Sequence, residues 1–406
     1  MTAAHRSPAA ISLALAALGL AAAVWLGWMA MQSNLQQACA LKQWPPLARC
    51  EALAEQAPAQ QVQALRAQVA ANPGDARPLT ALATLAQTPG GTPGLDRQAL
   101  LHAAAQLAPQ QRQVLRLQAN DALQQGRWPD AVAHLVLLAQ FHGDGEAART
   151  LALMVGQAGQ HRALLDALLG QLQSDGRWLE PVLRSLPAAK VPMVQAMPVV
   201  QAAMPLGLIT PALAQVLIQH LIAGGAWLDA HAVWLHVWNR PLGLLFNGDF
   251  EQDFVKHGFD WNVTDTNPYR AGARVQQPRM GQQGRVLEVA FTGRSIALPV
   301  VSQHLVLPPG DYLFTGSARS RGLRSNEGLA WVWTCASTRQ ELARTAAIQD
   351  SAGRWEKITA AVRVPPACGV GVQLSLQTFA AYEATTGLRG EVWFDQFELR
   401  STERLP

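Results

Sequence analysis

Several kinds of residue and motif are scarce in this sequence, and each scarcity excludes a class of protein. Charged residues make up only 15% of the 406-residue chain, and its net charge of +4 includes no basic run, so nucleic-acid binding is not predicted. No Gly-x-Ser-x-Gly, His-Glu-x-x-His, phosphate-loop or Gly-rich dinucleotide motif occurs, so we predict that the chain is not an enzyme. Apolar residues reach 49%, which excludes a disordered chain and is enough for several cores.

One long apolar run lies near the amino terminus. No charged residue occurs between Ser7 and Gln32, and residues 9–31 are apolar except for Ser12. A helix of that length covers the roughly 30 Å hydrocarbon core of a bilayer, so we predict a transmembrane helix at 9–31. The positive-inside rule then leaves residues 1–8, with Arg6, in the cytoplasm and exports the rest. A cleavable signal peptide ending near Cys39 is the alternative.

The compartment follows from residue usage. The chain has 28 Arg against 4 Lys and is rich in Ala, which is typical of a bacterial protein from a GC-rich genome. We therefore predict a single-pass protein of the bacterial inner membrane with its bulk in the periplasm. Cys39 and Cys50 form one local pair and Cys335 and Cys368 another, which suits two disulfides in an oxidising compartment. Free buried thiols are the alternative.

Residues 32–241 are rich in Ala, Leu and Gln, which predicts an all-α domain. Gly126, Gly176 and Gly225 each precede a tryptophan and an acidic residue, as expected where a left-handed glycine ends one helix and a second helix begins. Gly126 and Gly159 lie 33 residues apart, close to a known repeat period. The stretch 75–173 resembles a tetratricopeptide array, which implies a surface for a protein partner. A rigid spacer is the alternative.

The domain closes with a predicted helical hairpin. Thr210 can cap a helix that begins at Pro211, and Gly225 precedes a second helix carrying Trp227 and Trp234. We expect these tryptophans to seal the helices against the next module.

After Pro241 the sequence changes to short β-rich runs separated by turn residues. The predicted strands are 286–291, 296–301, 312–319, 329–334, 357–364, 370–377 and 391–399. Strands at this spacing predict an all-β jelly-roll sandwich over 244–401. The predicted fold class is therefore multidomain: a transmembrane helix, an all-α tetratricopeptide-like domain and a C-terminal β-sandwich.

The order of motifs in this module is more specific than the number of strands. It opens with Asn247-Gly-Asp-Phe-Glu251, continues with Gly258-Phe-Asp-Trp261 and ends with Val392-Trp-Phe-Asp-Gln-Phe-Glu-Leu399. This order resembles the family 4 and 9 type of carbohydrate-binding module. The resemblance implies polysaccharide binding and a structural calcium held by Glu251 and Asp395. A hydrogen-bonded Glu251 without metal is the alternative.

Sugar binding needs aromatic rings against CH groups, and amides for the hydroxyls. The aromatic candidates are Trp261, Tyr269, Trp331, Trp333 and Trp355, with Gln373 and Gln377 as polar partners. Trp331 and Trp333 share one face of their strand, and the two glutamines share one face of theirs. If the two strands are neighbours with these faces aligned, they form an aromatic and amide platform. The alternative is that the tryptophans fill the core. Arg319, Arg321 and Arg324, with Glu327, form a predicted polar turn that would suit an acidic saccharide; a solvated loop is the alternative.

The predicted function is a non-catalytic, membrane-anchored periplasmic scaffold. Its helical repeats would bind a protein partner and its β-sandwich a polysaccharide, in exopolysaccharide or envelope assembly. The alternative is a pure protein–protein adaptor whose β-sandwich is only structural.

Overall fold

The computed structural model describes residues 23–25, 58–86, 94–263, 272–281 and 284–402. Its contacts divide the chain into two compact units, Met1–Asn120 and Asp121–Pro406. The second unit holds both the later helices and the β-sandwich.

The first unit is helical. Its helices are α1 Pro58–Ala71, α2 Ala76–Leu85, α3 Arg97–Leu107 and the start of α4 Arg112–Gln124, within which the two units divide. The Asp75 carboxylate accepts the backbone N–H of Arg77 at 2.9 Å and thereby caps α2. Small apolar side chains such as Ala76, Ala104 and Val114 pack the interior, so these Ala-rich helices can approach closely.

In the described part of the second unit, seven further α-helices precede the β-sandwich. They are α5 Trp128–His142, α6 Gly145–Gln157, α7 Arg162–Ser174, α8 Leu179–Ser185, α9 Met197–Ala203, α10 Pro211–Ala223 and α11 Trp227–Val237. Gly126 and Gly225 have left-handed φ values of 69° and 79°, as predicted for turns between helices. Gly176 does not, and a Cβ there would lie 2.4 Å from Leu208 Cδ1, so close packing explains this glycine. The tetratricopeptide assignment stays a prediction.

The α10–α11 hairpin joins the helices to the sandwich. Thr210 Oγ1 accepts the Leu213 N–H at 3.3 Å, and Pro211 is the first helical residue, as predicted. Trp227 and Trp234 share one face of α11 and meet Phe259 with ring centroids 6.2 and 5.9 Å away. The two tryptophans therefore pack the helices against the β-sandwich.

The predicted fold class requires a correction. The longest helix in the described residues, α5, has 15 residues and spans about 22 Å, short of the roughly 30 Å of a bilayer core. None of the helices described here combines the length and apolar character needed to cross a membrane. The predicted transmembrane helix and single-pass inner-membrane location are therefore wrong for the described part of the chain. Residues 9–31, which carried both predictions, lie outside it apart from 23–25.

The β-sandwich of the prediction is confirmed. Within the described residues its strands are β1 Asn262–Val263, β2 Ala273–Gln276, β3 Leu287–Thr292, β4 Val301–Val306, β5 Gly310–Arg324, β6 Leu329–Cys335, β7 Glu341–Arg344, β8 Trp355–Val364, β9 Gly371–Thr378 and β10 Arg389–Ser401. They form two five-stranded antiparallel sheets: sheet A in the order β1-β4-β9-β6-β7 and sheet B in the order β2-β3-β10-β5-β8. A short helix, α12 Ala381–Thr386, lies between β9 and β10.

Most predicted strands agree with the observed ones. The run 296–301 does not, because strand pairing starts only at Val301; Pro299 within that run has no N–H to donate. The segment around Gly248 lies against β10, where Phe397 N–H donates to the Gly248 carbonyl at 2.8 Å. This segment is a loop, since Asn247 and Phe250 have positive φ values of 51° and 55°.

One predicted disulfide is confirmed. Cys335 at the end of β6 is bonded to Cys368 just before β9, with a Cα–Cα distance of 5.5 Å. The other predicted pair, Cys39 and Cys50, lies outside the described residues.

Candidate functional site

The three tryptophans predicted to bind sugar lie in the core of the sandwich. Trp261, Trp331 and Trp333 are all 0% exposed. The Trp331 ring lies 5.7 Å from Trp261 and 5.1 Å from Phe397, while Trp333 lies 4.8 Å from Phe314. Trp331 and Trp333 do share one strand face, but it is the inner face. Buried rings cannot stack on a ligand, so the predicted aromatic surface is not formed by these residues.

The two predicted glutamines lie on the opposite face. Gln373 and Gln377 alternate along β9 with Leu374 and Leu376, and both amides are half-buried on the outside of sheet A. Leu376 lies directly opposite Trp331 on β6, whereas Gln377 lies opposite Ala330. Opposite residues of an antiparallel pair share a face, so the glutamines and tryptophans are separated by the sheet.

The glutamines belong to a larger outer face of sheet A. One row crosses all five strands, each residue lying opposite the next: Asn262, Ser302, Ser375, Val332 and Arg344. Beyond the end of β9, Phe379 is 36% exposed and its ring lies 5.0 Å from Arg344 Cζ. We call Asn262, Gln373, Gln377, Arg344 and Phe379 the sheet A surface.

The sequence analysis missed three members of this surface. Asn262 lies on a two-residue strand, and Arg344 on a four-residue strand, too short for a periodic pattern. Phe379 had a signal, because it follows Gln377 by two residues and so continues the same face.

Helix α11 bounds the sheet A surface on one side. His304 on β4 lies opposite Gln373, and its ring meets Trp227 at 5.4 Å in an edge-on contact. Gly371 lies under the same indole, where a Cβ would be 2.3 Å from Trp227 Cε2. Burial lowers the pKa of His304, so its imidazole is neutral near pH 7.

A cavity of about 510 Å³ lies between α11, the segment 241–249, β4 and the end of β10. Its walls include Trp234, Phe246, Phe259 and His231, and burial lowers the pKa of His231. The Asn247 side chain is already occupied, because it donates to the Gln252 carbonyl at 2.8 Å and accepts the Gln252 N–H at 3.0 Å.

The predicted calcium ligands lie where the opening loop meets β10. Asp395 is 4% exposed, and burial raises its pKa, as do the negative charges of Glu251 and Asp249, while the Gln396 N–H lowers it. Glu251 Oε1 accepts the Arg285 backbone N–H at 2.8 Å. The Glu251 and Asp395 carboxylates lie close enough to repel each other, and carboxylate oxygens are the ligands that calcium prefers. In the described part of the chain, no group of three His, Cys, Asp or Glu is arranged to hold a metal.

No family model and no curated protein matches the chain. Among solved structures, it is similar to a CBM4 module at 15% identity, with a TM-score of 0.30, covering 39% of this chain and 99% of that one. It is also similar to the CBM22-1 xylan-binding domain of Paenibacillus barcinonensis Xyn10C at 17% identity, with a TM-score of 0.29, covering 39% and 94%. TmCBM61, solved in complex with β-1,4-galactotriose, matches at 14% identity, with a TM-score of 0.25, covering 40% and 99%.

Proposed function

We propose that this chain is a non-catalytic scaffold whose β-sandwich binds a polysaccharide through the sheet A surface. The observation that carries this function is the combination of half-buried or exposed amides, Gln373, Gln377 and Asn262, with the exposed ring of Phe379. Amides can bond sugar hydroxyls, and an aromatic face can contact the CH groups of a pyranose. Arg344 lies beside that ring, with its Nε and Nη2 atoms bonded to Glu341 at 2.6 and 2.5 Å.

One aromatic ring and a few amides support only weak binding. We expect a dissociation constant on the order of 0.1–1 mM for a short oligosaccharide. Ser302, Ser375 and Val332 in the middle of the row are buried, so a longer chain could gain contacts only at the edges of the sheet, with Asn262 and Arg344.

Isothermal titration of the full chain with xylohexaose, cellotriose and β-1,4-galactotriose tests this function. We expect at least one of them to bind, and Gln377→Ala and Phe379→Ala to weaken that binding by about tenfold each. Gln349→Ala is a matched control, because Gln349 is exposed in the loop before β8. No binding by any of the three sugars, or equal binding by all variants, would contradict the proposed site.

Calcium held by Glu251 and Asp395 is proposed as a structural ligand of the sandwich. Bound calcium would supply positive charge to two neighbouring carboxylates that otherwise repel. Adding calcium to chelator-treated protein should raise the melting temperature by about 2–5 °C. Glu251→Gln should remove this rise, whereas Asp253→Asn should keep it, since Asp253 is exposed and pairs with Arg285. An unchanged melting temperature in the wild type would contradict the calcium assignment.

The helical region is proposed to bind a protein partner, with exopolysaccharide assembly as the setting. Large apolar side chains exposed on its helices support this role: Phe141, Leu153 and Leu228.

A second candidate function is a pure protein–protein adaptor with a structural sandwich. The burial of Trp261, Trp331 and Trp333 favours it, because a sugar site loses its three strongest aromatic candidates. The sugar titrations separate the two candidates, since an adaptor of this kind binds none of the three oligosaccharides.

A further inference from the structure

A second row of side chains crosses the outer face of sheet B. Each residue lies opposite the next on the neighbouring strand: Gln276, Glu288, Trp393, Arg319 and Trp355. Directly opposite residues of antiparallel strands share a face. The alternate residues Val392, Phe394 and Ala318 belong to the core, so this row points outward.

At one end of this row, the side chains form hydrogen bonds with one another. Glu288 accepts hydrogen bonds on both carboxylate oxygens, from Gln276 Nε2 at 2.6 Å and from Trp393 Nε1 at 2.9 Å. Trp393 is only 5% exposed. Glu288 is therefore bonded to Gln276 and Trp393, and it lies on the opposite side of Trp393 from Arg319.

At the other end of the row, one nitrogen atom of Arg319 has no hydrogen-bond partner in the described residues. Arg319 Cζ lies 5.4 Å from the centre of the Trp393 ring, but its Nε atom is buried and has no hydrogen-bond partner in the described residues. The neighbouring Arg321, by contrast, pairs with Glu391 at 2.6 Å. An unbonded guanidinium N–H at a buried position is costly. Because this Nε atom is buried, a ligand would have to bond the Nη atoms of Arg319.

A second cation lies on the same face as Arg319. Lys357 lies opposite Ser317 on the same outer face, one step diagonally from Arg319, and is exposed. Glu391 is already paired with Arg321, and Asp395 lies opposite Ser317 on β10. Trp355, directly opposite Arg319, is half-buried and leaves part of its ring accessible.

We propose that Arg319, Trp355 and Lys357 bind the carboxylate-bearing ring of an acidic saccharide. A guanidinium can chelate a carboxylate through two parallel hydrogen bonds, and the ammonium of Lys357 adds a second positive charge. The accessible part of Trp355 contacts the CH groups of the same sugar ring. This site is separate from the sheet A surface, and it rests on the proposed function only in taking a saccharide.

Titration of the full chain with trigalacturonate at low salt tests this site, with galactotriose as the neutral probe. We expect trigalacturonate to bind, and the affinity to fall with salt because the contact is ionic. Arg319→Gln should weaken it by about tenfold or more, since hydrogen bonds to charged groups carry that much. Arg319→Lys keeps the charge without the planar fork and should give an intermediate loss. Trp355→Ala and Lys357→Gln should each weaken binding as well.

Arg363→Gln is the matched control. Arg363 lies near the other end of β8, is highly exposed and has its own partner, Asp311, at 3.7 Å. Binding that stays at the wild-type level in a folded Arg319→Gln protein, or that falls equally in Arg363→Gln, would overturn the site. Should Arg319→Gln not fold, unchanged binding by both Trp355→Ala and Lys357→Gln would overturn it. If sodium sulfate displaces trigalacturonate and Trp355→Ala leaves trigalacturonate binding unchanged, the site binds anions in general. That result would overturn the saccharide assignment.

The titrations can contradict each of the two proposed sites without contradicting the other. Galactotriose binding that is lost in Gln377→Ala, without any trigalacturonate binding, would leave the proposed function intact and overturn the Arg319 site. Trigalacturonate binding that depends on Arg319, without binding of any neutral sugar, would support the Arg319 site and contradict the sheet A surface.

Discussion

Replacing Trp331 with alanine separates a core role from a ligand role for the tryptophans of β6. Trp331 is 0% exposed and its ring packs against Trp261, Phe394 and Phe397 at 5.1 to 5.7 Å. If the ring is a core residue, its removal costs stability, and it affects saccharide binding only through unfolding.

The expected cost follows from the buried area. A buried tryptophan removes about 150–250 Å² from water, which at about 25 cal/mol per Å² corresponds to about 4–6 kcal/mol. Large-to-small substitutions of this kind cost about 3–5 kcal/mol. We therefore expect Trp331→Ala to lower the free energy of unfolding by about 4 kcal/mol, equivalent to a fall in melting temperature of roughly 8–16 °C.

Urea denaturation followed by far-ultraviolet circular dichroism measures this loss. Trp355→Ala is the comparison, because Trp355 is half-buried on the outer face of sheet B and should cost about 1 kcal/mol or less. A Trp331→Ala protein with an unchanged free energy of unfolding but no affinity for any oligosaccharide would refute the core assignment. Titrations are made at temperatures where the variant is fully folded.

Three further predictions concern stability. Replacing Cys335 and Cys368 together by alanine should cost about 3.7 kcal/mol on the chain-entropy estimate for their separation of 33, and reductant should abolish the difference in urea denaturation. The raised pKa of Asp395 means that its stabilising contribution is present below the unfolded pKa of about 3.9 and is lost as the pH rises through the folded value. In chelator, Asp395→Asn should therefore match the wild type in acid and exceed its melting temperature near neutral pH; the opposite order would contradict the pKa shift. Gly371→Ala should cost about 1–3 kcal/mol, because its Cβ meets Trp227 at 2.3 Å. Gly170→Ala is the control, since α7 is open there and alanine should stabilise the helix by up to about 1 kcal/mol.

The strands of the sandwich could be predicted where they are long enough to show a pattern. β6, β8, β9 and β10 each have seven or more residues, and all were predicted within two residues of their observed bounds. β5 was predicted over 312–319 but continues to Arg324. β1, β2 and β7 have two to four residues, which is too short for alternation to be distinguished from chance. The Thr210 cap, by contrast, needed only local chemistry and was predicted correctly.

The inner and outer faces of β6 could not be assigned from its own sequence. Alternation places Trp331 and Trp333 together, but Ala330 and Val332 on the other face are also buried, so both faces are apolar. β9 is informative, because only the face with Leu374 and Leu376 is apolar. The observed register places that face beside the tryptophans, and such a register depends on the partner strand.

The hydrogen bonding of Arg319 could not be predicted from the sequence either. The sequence predicted an arginine-rich turn, but Arg319, Arg321 and Arg324 lie on strand β5. Whether Arg319 Nε has a partner depends on strands that pair across more than 100 residues of chain, from Glu288 to Trp393. Only the assembled sheet shows which arginine already has a carboxylate and which does not.

The contact between Gly371 and Trp227 has a consequence for dissecting or recombining this protein. A fragment cut at residue 244, where the β-rich sequence begins, would lose the indole that covers Gly371 and His304. It would present fresh apolar surface to solvent, and self-association of such a fragment would be the expected artefact. A fragment intended to fold alone should begin before Thr210, so that it includes the α10–α11 hairpin that covers this part of the sandwich. In gene fusions, the boundary should therefore lie before the hairpin, and not at the point where the sequence changes from helical to β-rich.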